Sequence, residues 1–412
     1  MDRLQSQPNI KSLHKNKLLR TLEILAVSAK LGTTSFGGPI AHLGYYHEEY
    51  VMRRKWLDEK SYADLVALCQ FLPGPASSQV GIGIGLSRGG LAGAIAAWLG
   101  FTLPSAIALV IFALFMQGMD ISSAYWLHGL KLTAVAIVTQ AVWSMGSKLA
   151  TGRSRATIAV LATTVSLLWP NAFSQVLVIA VAGLLGLWLY RKSNETVTET
   201  SLVISISRKW AVVCLGLYCG LLVLLPLLGR LFNPDGHVSG LMLFDSFYRT
   251  GSLVFGGGHV VLPLLQSEVV QTGWITESDF LAGYGLVQAV PGPLFTFASY
   301  LGTLVNGIPG AIIATIAIFL PAFLLIVGVL PFWNKLRHNH HIQGALHGVN
   351  AAVVGILLAA LYNPIWTTSV NSTGDFVLAL LLFGMLSYWK LPSWSVVIAG
   401  AAGGMLLGWL GN

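Results

Sequence analysis

Charge is what this chain of 412 residues has least of: Asp, Glu, Lys and Arg make up only 10% of it, against 55% hydrophobic residues. So little polar surface cannot cover a soluble globule of this length, so the composition predicts an integral membrane protein lying in a lipid bilayer. Cysteine is scarce as well. Cys69, Cys214 and Cys219 all lie in apolar stretches, and the spacing of the last two matches no metal or redox motif, so they read as structural. A G-x-x-x-x-G-K-[ST] loop is missing, which excludes ATP binding by that route. H-E-x-x-H and a serine nucleophile elbow are missing too, so nothing points to an intramembrane hydrolase or any other enzyme. Gly81-x-Gly83-x-Gly85 follows an apolar helix rather than a strand and is a packing motif, not a dinucleotide fingerprint. The histidines at 338, 340 and 341 lack acidic or cysteine companions, so neither a metal nor a cofactor is expected. The first twenty residues are polar and basic and run straight into an apolar segment, which predicts no signal peptide. A net charge of +8 would point to nucleic acid in a soluble chain; here the basic residues sit mostly in loops and report topology, with no nucleic-acid partner expected.

What the chain does have is a duplication. Phe36-Gly37-Gly38 recurs as Phe255-Gly256-Gly257, and Gln70-Phe71-Leu72-Pro73-Gly74-Pro75 recurs as Gln288-Ala289-Val290-Pro291-Gly292-Pro293. Glu49 falls on Glu268, Trp56 and Glu59 on Trp274 and Glu277, Leu103-Pro104 on Leu320-Pro321, and Leu127-His128-Gly129 on Leu346-His347-Gly348. Apolar runs predict spans over 19–46, 61–86, 90–117, 126–149, 156–169 and 173–190. The series repeats over 240–266, 279–304, 309–332, 343–362, 374–389 and 393–410. The expected organisation is a cytoplasmic segment 1–18, a first repeat 19–190, a linker with one unduplicated apolar segment (210–229) over 191–239, and a second repeat 240–412. Six spans, one connecting span and six more make an all-α polytopic membrane protein of about 13 spans, whose second repeat enters the bilayer in the opposite sense to the first.

With the N-terminus in the cytoplasm and the C-terminus outside the inner (plasma) membrane, most Lys and Arg fall on the cytoplasmic side. The cluster Arg53-Arg54-Lys55 does not. Either it is a tolerated external loop, or the first segment is re-entrant and the span count is off by one.

Each Pro-Gly-Pro word removes backbone donors and unwinds a helix, which lipid tolerates only where protein or a water-filled cavity satisfies the freed groups. The helix that resumes offers free amides and the positive end of its dipole to an anion. Ser77 and Ser78 add hydroxyls in the first copy and Thr296 one in the second. Asp58 and Thr276 are candidate N-caps for the helices that lead into these breaks. Six residues before each Phe-Gly-Gly lies a cation, Lys30 or Arg249, inside an apolar segment; a charge there marks a substrate path. Matching positions in inverted halves are expected to bring the two cations together as a site for a small dianion. Asp245, four residues before Arg249, and the duplicated Glu49 and Glu268 are candidates for proton coupling. His128 and His347 begin matching spans and read as satisfied interfacial histidines.

The duplicated Phe-Gly-Gly, Trp-[Leu/Ile]-x-Glu and Pro-Gly-Pro, followed by Gly93-Ala94-Ile95 and Leu103-Pro104 or Gly310-Ala311-Ile312 and Leu320-Pro321, resembles the chromate ion transporter family in its long, two-domain form. The resemblance implies export of chromate across the cytoplasmic membrane, chromate resistance, a drive from the proton gradient or membrane potential, and sulfate as natural competitor. It carries over onto Phe36 to Pro39, Phe255 to Gly257, Gln70 to Pro75 and Gln288 to Pro293. A sulfate-type uptake permease and a passive anion channel are the alternatives, and a homodimer is possible.

Overall fold

The computed structural model describes residues 10–36, 38–117, 125–169, 172–190, 207–232, 238–255, 258–336 and 340–410. These are helical nearly throughout, with no strand among them. The first repeat comprises α1 (Ile10–Thr34), α2 (Gly38–Tyr46, continued as a π-helix over His47–Arg53), α3 (Glu59–Phe71), α4 (Ala76–Gln117), α5 (Tyr125–Leu149), α6 (Gly152–Leu168) and α7 (Ala172–Leu189). The unduplicated helix is α8 (Arg208–Phe232). The second repeat follows as α9 (Gly240–Leu253), α10 (Val261–Val269), α11 (Glu277–Val287), α12 (Phe297–Val329), α13 (His340–Ala360), α14 (Thr373–Ser387) and α15 (Ser393–Leu410). Asp58 and Thr276 cap α3 and α11 as expected, each accepting from the amide three residues on. The Ser61 amide and hydroxyl also hold the Asp58 carboxyl below the usual carboxylate range.

The first two segments of each repeat are not single rods. Ser28 meets Tyr50 (3.1 Å) and Glu23 meets Arg54 (3.2 Å), so the segment read as 19–46 turns back on itself at Phe36. The segment read as 61–86 also reverses, at Pro-Gly-Pro, because Gly83 lies against Leu65. In the second repeat Arg249 reaches Glu268 (2.7 Å), and the Tyr300 hydroxyl donates to the Asp279 carbonyl (3.0 Å), so 240–266 and 279–304 fold the same way. The reason is local: glycine and proline mid-segment end the helical ladder, and a bend of this size costs less than a straight, unpaired backbone in lipid.

Two further reversals lie inside α4 and α12. Gly90 (φ 63°) and Gly307 (φ 57°) take the left-handed backbone that suits glycine. Gly85 then lies on the Gly93 carbonyl and Gly302 on that of Gly310, a contact that eight residues of straight helix forbid. The stretches 76–89 and 91–117 are therefore antiparallel, as are 297–305 and 308–329. Of the thirteen apolar segments, four are hairpins and nine are single helices.

A hairpin returns to the side it left, so the inverted relation of the repeats survives. Arg88, at the Gly90 turn, reaches Glu23 (3.7 Å), whereas Gln117, at the far end of α4, donates to the Thr303 carbonyl (3.2 Å) beside the Gly307 turn. The matching turns thus lie on opposite faces. Arg53-Arg54-Lys55 shares the face of Glu23 and Arg88, which selects the re-entrant alternative and removes the charge exception. The last helix of each repeat also crosses to the other: Gly129 of α5 packs on Gly400 of α15, and Gly348 of α13 on Ala182 of α7. Glycine at each crossing lets the backbones touch. Outside lies an apolar belt that includes Trp143, Trp188, Leu217, Val223 and Leu231, suited to lipid.

In a cysteine-free background, Lys55→Cys and Arg153→Cys will react with an impermeant thiol reagent from one side of the membrane, and Trp169→Cys from the other. Labelling of Lys55→Cys from the Trp169 side would restore a single span over 19–46.

Candidate functional site at the crossed breaks

The breaks of the two repeats are bonded to each other. The Gly74 amide donates to the Val254 carbonyl (2.7 Å), and the Gly292 amide donates to the Ser35 carbonyl (2.9 Å). Val254 and Ser35 each precede a Phe-Gly-Gly word, so the Pro-Gly-Pro of each half satisfies the carbonyl freed at the break of the other. Both glycines hold left-handed φ, 111° and 103°. A β-carbon on Gly74 would lie 3.3 Å from Ala322, and one on Gly292 2.7 Å from the Ser105 hydroxyl. Pro39 also approaches Gly258 across the same axis. Gly37, Gly256 and Gly257 lie outside the described residues.

Around this junction the two halves differ in polarity. Ser77 and Ser78 open the helix after the first break, both buried. The Ser77 hydroxyl is 3.3 Å from His42 Nδ1, and the Gln79 side chain donates to the Pro73 carbonyl (2.8 Å). Ser35 Oγ, His42 Nε2 and Ser78 Oγ are buried without a partner. Each such atom costs about 1–3 kcal/mol unless something completes its hydrogen bond. In the second copy Thr296 turns its hydroxyl onto Pro293 (2.7 Å), closing that helix start. The glutamines diverge as well: Gln70 is exposed, whereas the Gln288 amide nitrogen is buried and unpartnered. Phe36 and Phe255 are half-buried beside their breaks.

The two cations do not meet here. Gly32 and Gly251 face α4 (Gly100, Phe101) and α12 (Ile318), the helices on which the opposing break packs at Ser105 and Ala322. Lys30 and Arg249 stand two positions earlier, about 200° around the helix and therefore on its far side. Each is held by the duplicated glutamate of its own repeat: Lys30 by Glu49 (3.4 Å), and Arg249 by Glu268 (2.7 and 2.9 Å) and Asp245 (3.1 Å). The expected pair of converging free cations is thus replaced by two separate ion-paired clusters, one in each repeat. Lys30 is 53% exposed. Arg249 instead lines a cavity of about 210 Å³ with Glu268, Thr250, Val176 of α7 and Leu222 of α8. His128 is engaged by Asp375 (2.6 Å), the satisfied role expected of it.

Sequence reasoning missed Ser35, His42 and Ser105. Ser35 and Ser105 adjoin words already seen to repeat, Phe-Gly-Gly and Leu-Pro, and that adjacency was the available signal. His42 has no counterpart in the second copy, where Val261 stands at the matching position, so the repeat concealed it.

Gly74→Ala and Gly292→Ala force a side chain into a left-handed backbone at a crowded junction, at a cost of roughly 1–3 kcal/mol each. Both variants are expected to unfold at lower temperature in detergent than Gly152→Ala, whose positive φ lies at an uncrowded helix start. Equal melting of all three would remove the junction from the core of the fold.

No solved structure matches the chain. It is 27% identical over 405 residues to the chromate transport protein of Pseudomonas aeruginosa, covering 94% of this chain and 92% of that one. It is 30% identical over 348 residues to an uncharacterized transporter of Methanocaldococcus jannaschii, covering 82% and 83%. A shorter relative, the uncharacterized transporter YwrA of Bacillus subtilis, is 29% identical over 181 residues, 41% of this chain but 98% of its own length. The chromate transporter family model matches twice, at residues 22–187 and 241–405, once on each repeat, and the chain belongs to that family.

Proposed function

We propose that the protein exports chromate across the cytoplasmic membrane, with its N-terminus inside and its C-terminus outside, and thereby confers chromate resistance. The observation that carries this reading is the reciprocal bonding of the two breaks, which gathers unwound backbone and unpartnered hydroxyls of an inverted repeat at one place. Such places are where secondary transporters bind substrate. The oxyanion binds against the first turn of α4. There the amides of Ser77 and Ser78 lack helical acceptors, and Ser78 Oγ, Ser35 Oγ and His42 Nε2 supply further hydrogen bonds. Sulfate, a tetrahedral dianion of the same shape, competes.

Outward movement of a dianion is favoured by an inside-negative potential, by about 4.6 kcal/mol per 100 mV for two charges. The Asp245, Arg249 and Glu268 group adds a proton site. Two carboxylates share one guanidinium, Glu268 in a largely apolar cavity and Asp245 beside it with its Oδ1 buried without a partner. That surplus negative charge within the membrane favours uptake of a proton. Neutralising one carboxylate frees guanidinium N–H groups for an anion at the approach to the breaks; a proton carried out with the dianion leaves one net negative charge, still favoured outward by the potential at about 2.3 kcal/mol per 100 mV. Glu49, surrounded by Lys30, Arg53 and Arg54, stays ionised and serves as their counter-ion.

In proteoliposomes, wild-type protein will release chromate under an imposed potential, and Ser78→Ala will raise KM by about tenfold, the loss of one hydrogen bond to a charged group. Sulfate stays a dianion through mildly acidic pH, so with sulfate as substrate the affinity of the wild type will tighten on acidification. Asp245→Asn will abolish that dependence. A chain that passes ohmic anion current would instead be a channel.

A further inference from the structure

At matching positions the two repeats have become electrically opposite. In the first, Lys30, Arg53, Arg54 and Arg88 are tied to only two carboxylates, Glu23 and Glu49, leaving two positive charges in excess. In the second, Arg249 faces Asp245 and Glu268, leaving one negative charge. The counterparts of Arg53, Arg54, Arg88 and Glu23 are Thr272, Gly273, Val305 and Met242, all uncharged. Taking in the adjoining loops keeps the contrast. Glu48, Lys55, Asp58, Glu59 and Lys60 bring the first face to one positive charge; Glu277, Asp279 and Lys131 bring the second to two negative.

The first cluster is also built rather than scattered. Arg54 and Arg88 both lie over the Trp56 ring, at 5.5 and 5.0 Å, and Trp56 stacks on Tyr50. Arg54 bridges Glu23 and Glu49, while Lys30 lies seven residues beyond Glu23, about 10 Å further along α1 towards the break. Arg53, Arg54 and Arg88 stand at the open ends of the two hairpins whose closed ends carry the breaks, about 20 Å from them along α3, and Lys30 lies part-way, six residues before Phe36. Arg153 and Arg155, in the first turn of α6, form no such descending order.

We infer that Arg53, Arg54, Arg88 and Lys30 form an anion-collecting mouth for a tetrahedral dianion on one face only, and that the opposite mouth repels the dianion. Carriage is therefore sided: apparent affinity is higher from the face of Arg88, and turnover compensates so that the equilibrium is unchanged. With the N-terminus inside, that face is cytoplasmic, which suits loading for export. The inference rests on the proposed transport of oxyanions.

The test is KM for chromate and for sulfate, measured from each face in inside-out and right-side-out vesicles over a range of ionic strength. Wild type will show the lower KM from the Arg88 face, with the difference shrinking as salt rises. Arg53→Gln and Arg88→Gln will each raise that KM by about twofold to fivefold at low salt, with a proportional rise in maximal rate from the same face that keeps their ratio fixed, leave the KM of the other face unchanged, and converge on wild type at high salt. Arg88→Lys will restore the wild-type value. Arg53, 66% exposed, guards against misfolding of the Arg88 variants. Equal KM from both faces in wild type, or equal shifts at both faces in the variants, overturns the inference alone. A wild-type protein that carries neither anion from either face overturns the transport reading.

Discussion

Every other feature of this molecule depends on where the backbone groups freed at its breaks find partners. A membrane interior supplies no water to meet them, and the Pro-Gly-Pro and Phe-Gly-Gly words free several at once. The solution is an exchange: Gly74 serves the carbonyl of Val254, and Gly292 that of Ser35. Neither repeat completes its own break. Folding of one half therefore requires the other in the opposite orientation, and the crossing of α5 with α15 and of α7 with α13 extends the same dependence through the membrane.

That exchange also separates the two kinds of polar group in the core. Groups near the axis are neutral: amides, hydroxyls, a histidine. The charged residues stand on the far side of α1 and α9, where α2 and α10 bring them a carboxylate. A bare cation at the axis would face the cost of burial whenever substrate was absent, whereas a neutral donor set costs far less to leave empty. The geometry thus keeps strong charge off the proposed binding point and places it at the approaches.

The duplication, the inverted sense, the capping of α3 and α11 and the location of the breaks were all legible in the sequence, because glycine, proline and cap residues act through local backbone geometry. The hairpins were not. Hydropathy registers that residues 61–86 are apolar, and a segment folded in two is as apolar as a straight one; only contacts such as Gly83 with Leu65 tell them apart. The same limit misplaced the cations. A position inside an apolar run was read as facing the axis, and the two-residue offset from Gly32 and Gly251, which turns Lys30 and Arg249 away, carries meaning only once the glycine contacts are known. Arg53-Arg54-Lys55 held the missing information: a basic cluster on the wrong side is what a reversed segment looks like when counted as a straight one.

The helix α8 has no twin, packs mainly along one face and contributes only Leu222 to the cavity lining. Its significance is arithmetical. Each repeat crosses an even number of times and ends on the side where it began, so two repeats joined directly would lie parallel and neither break could reach the other's carbonyl. Two separate half-length chains escape this restriction, since each can insert in its own orientation. A single chain cannot, and one added crossing is the smallest insertion that lets covalent linkage coexist with antiparallel pairing. Shortening α8 below the bilayer thickness would therefore disable a protein in which every residue of both repeats was intact.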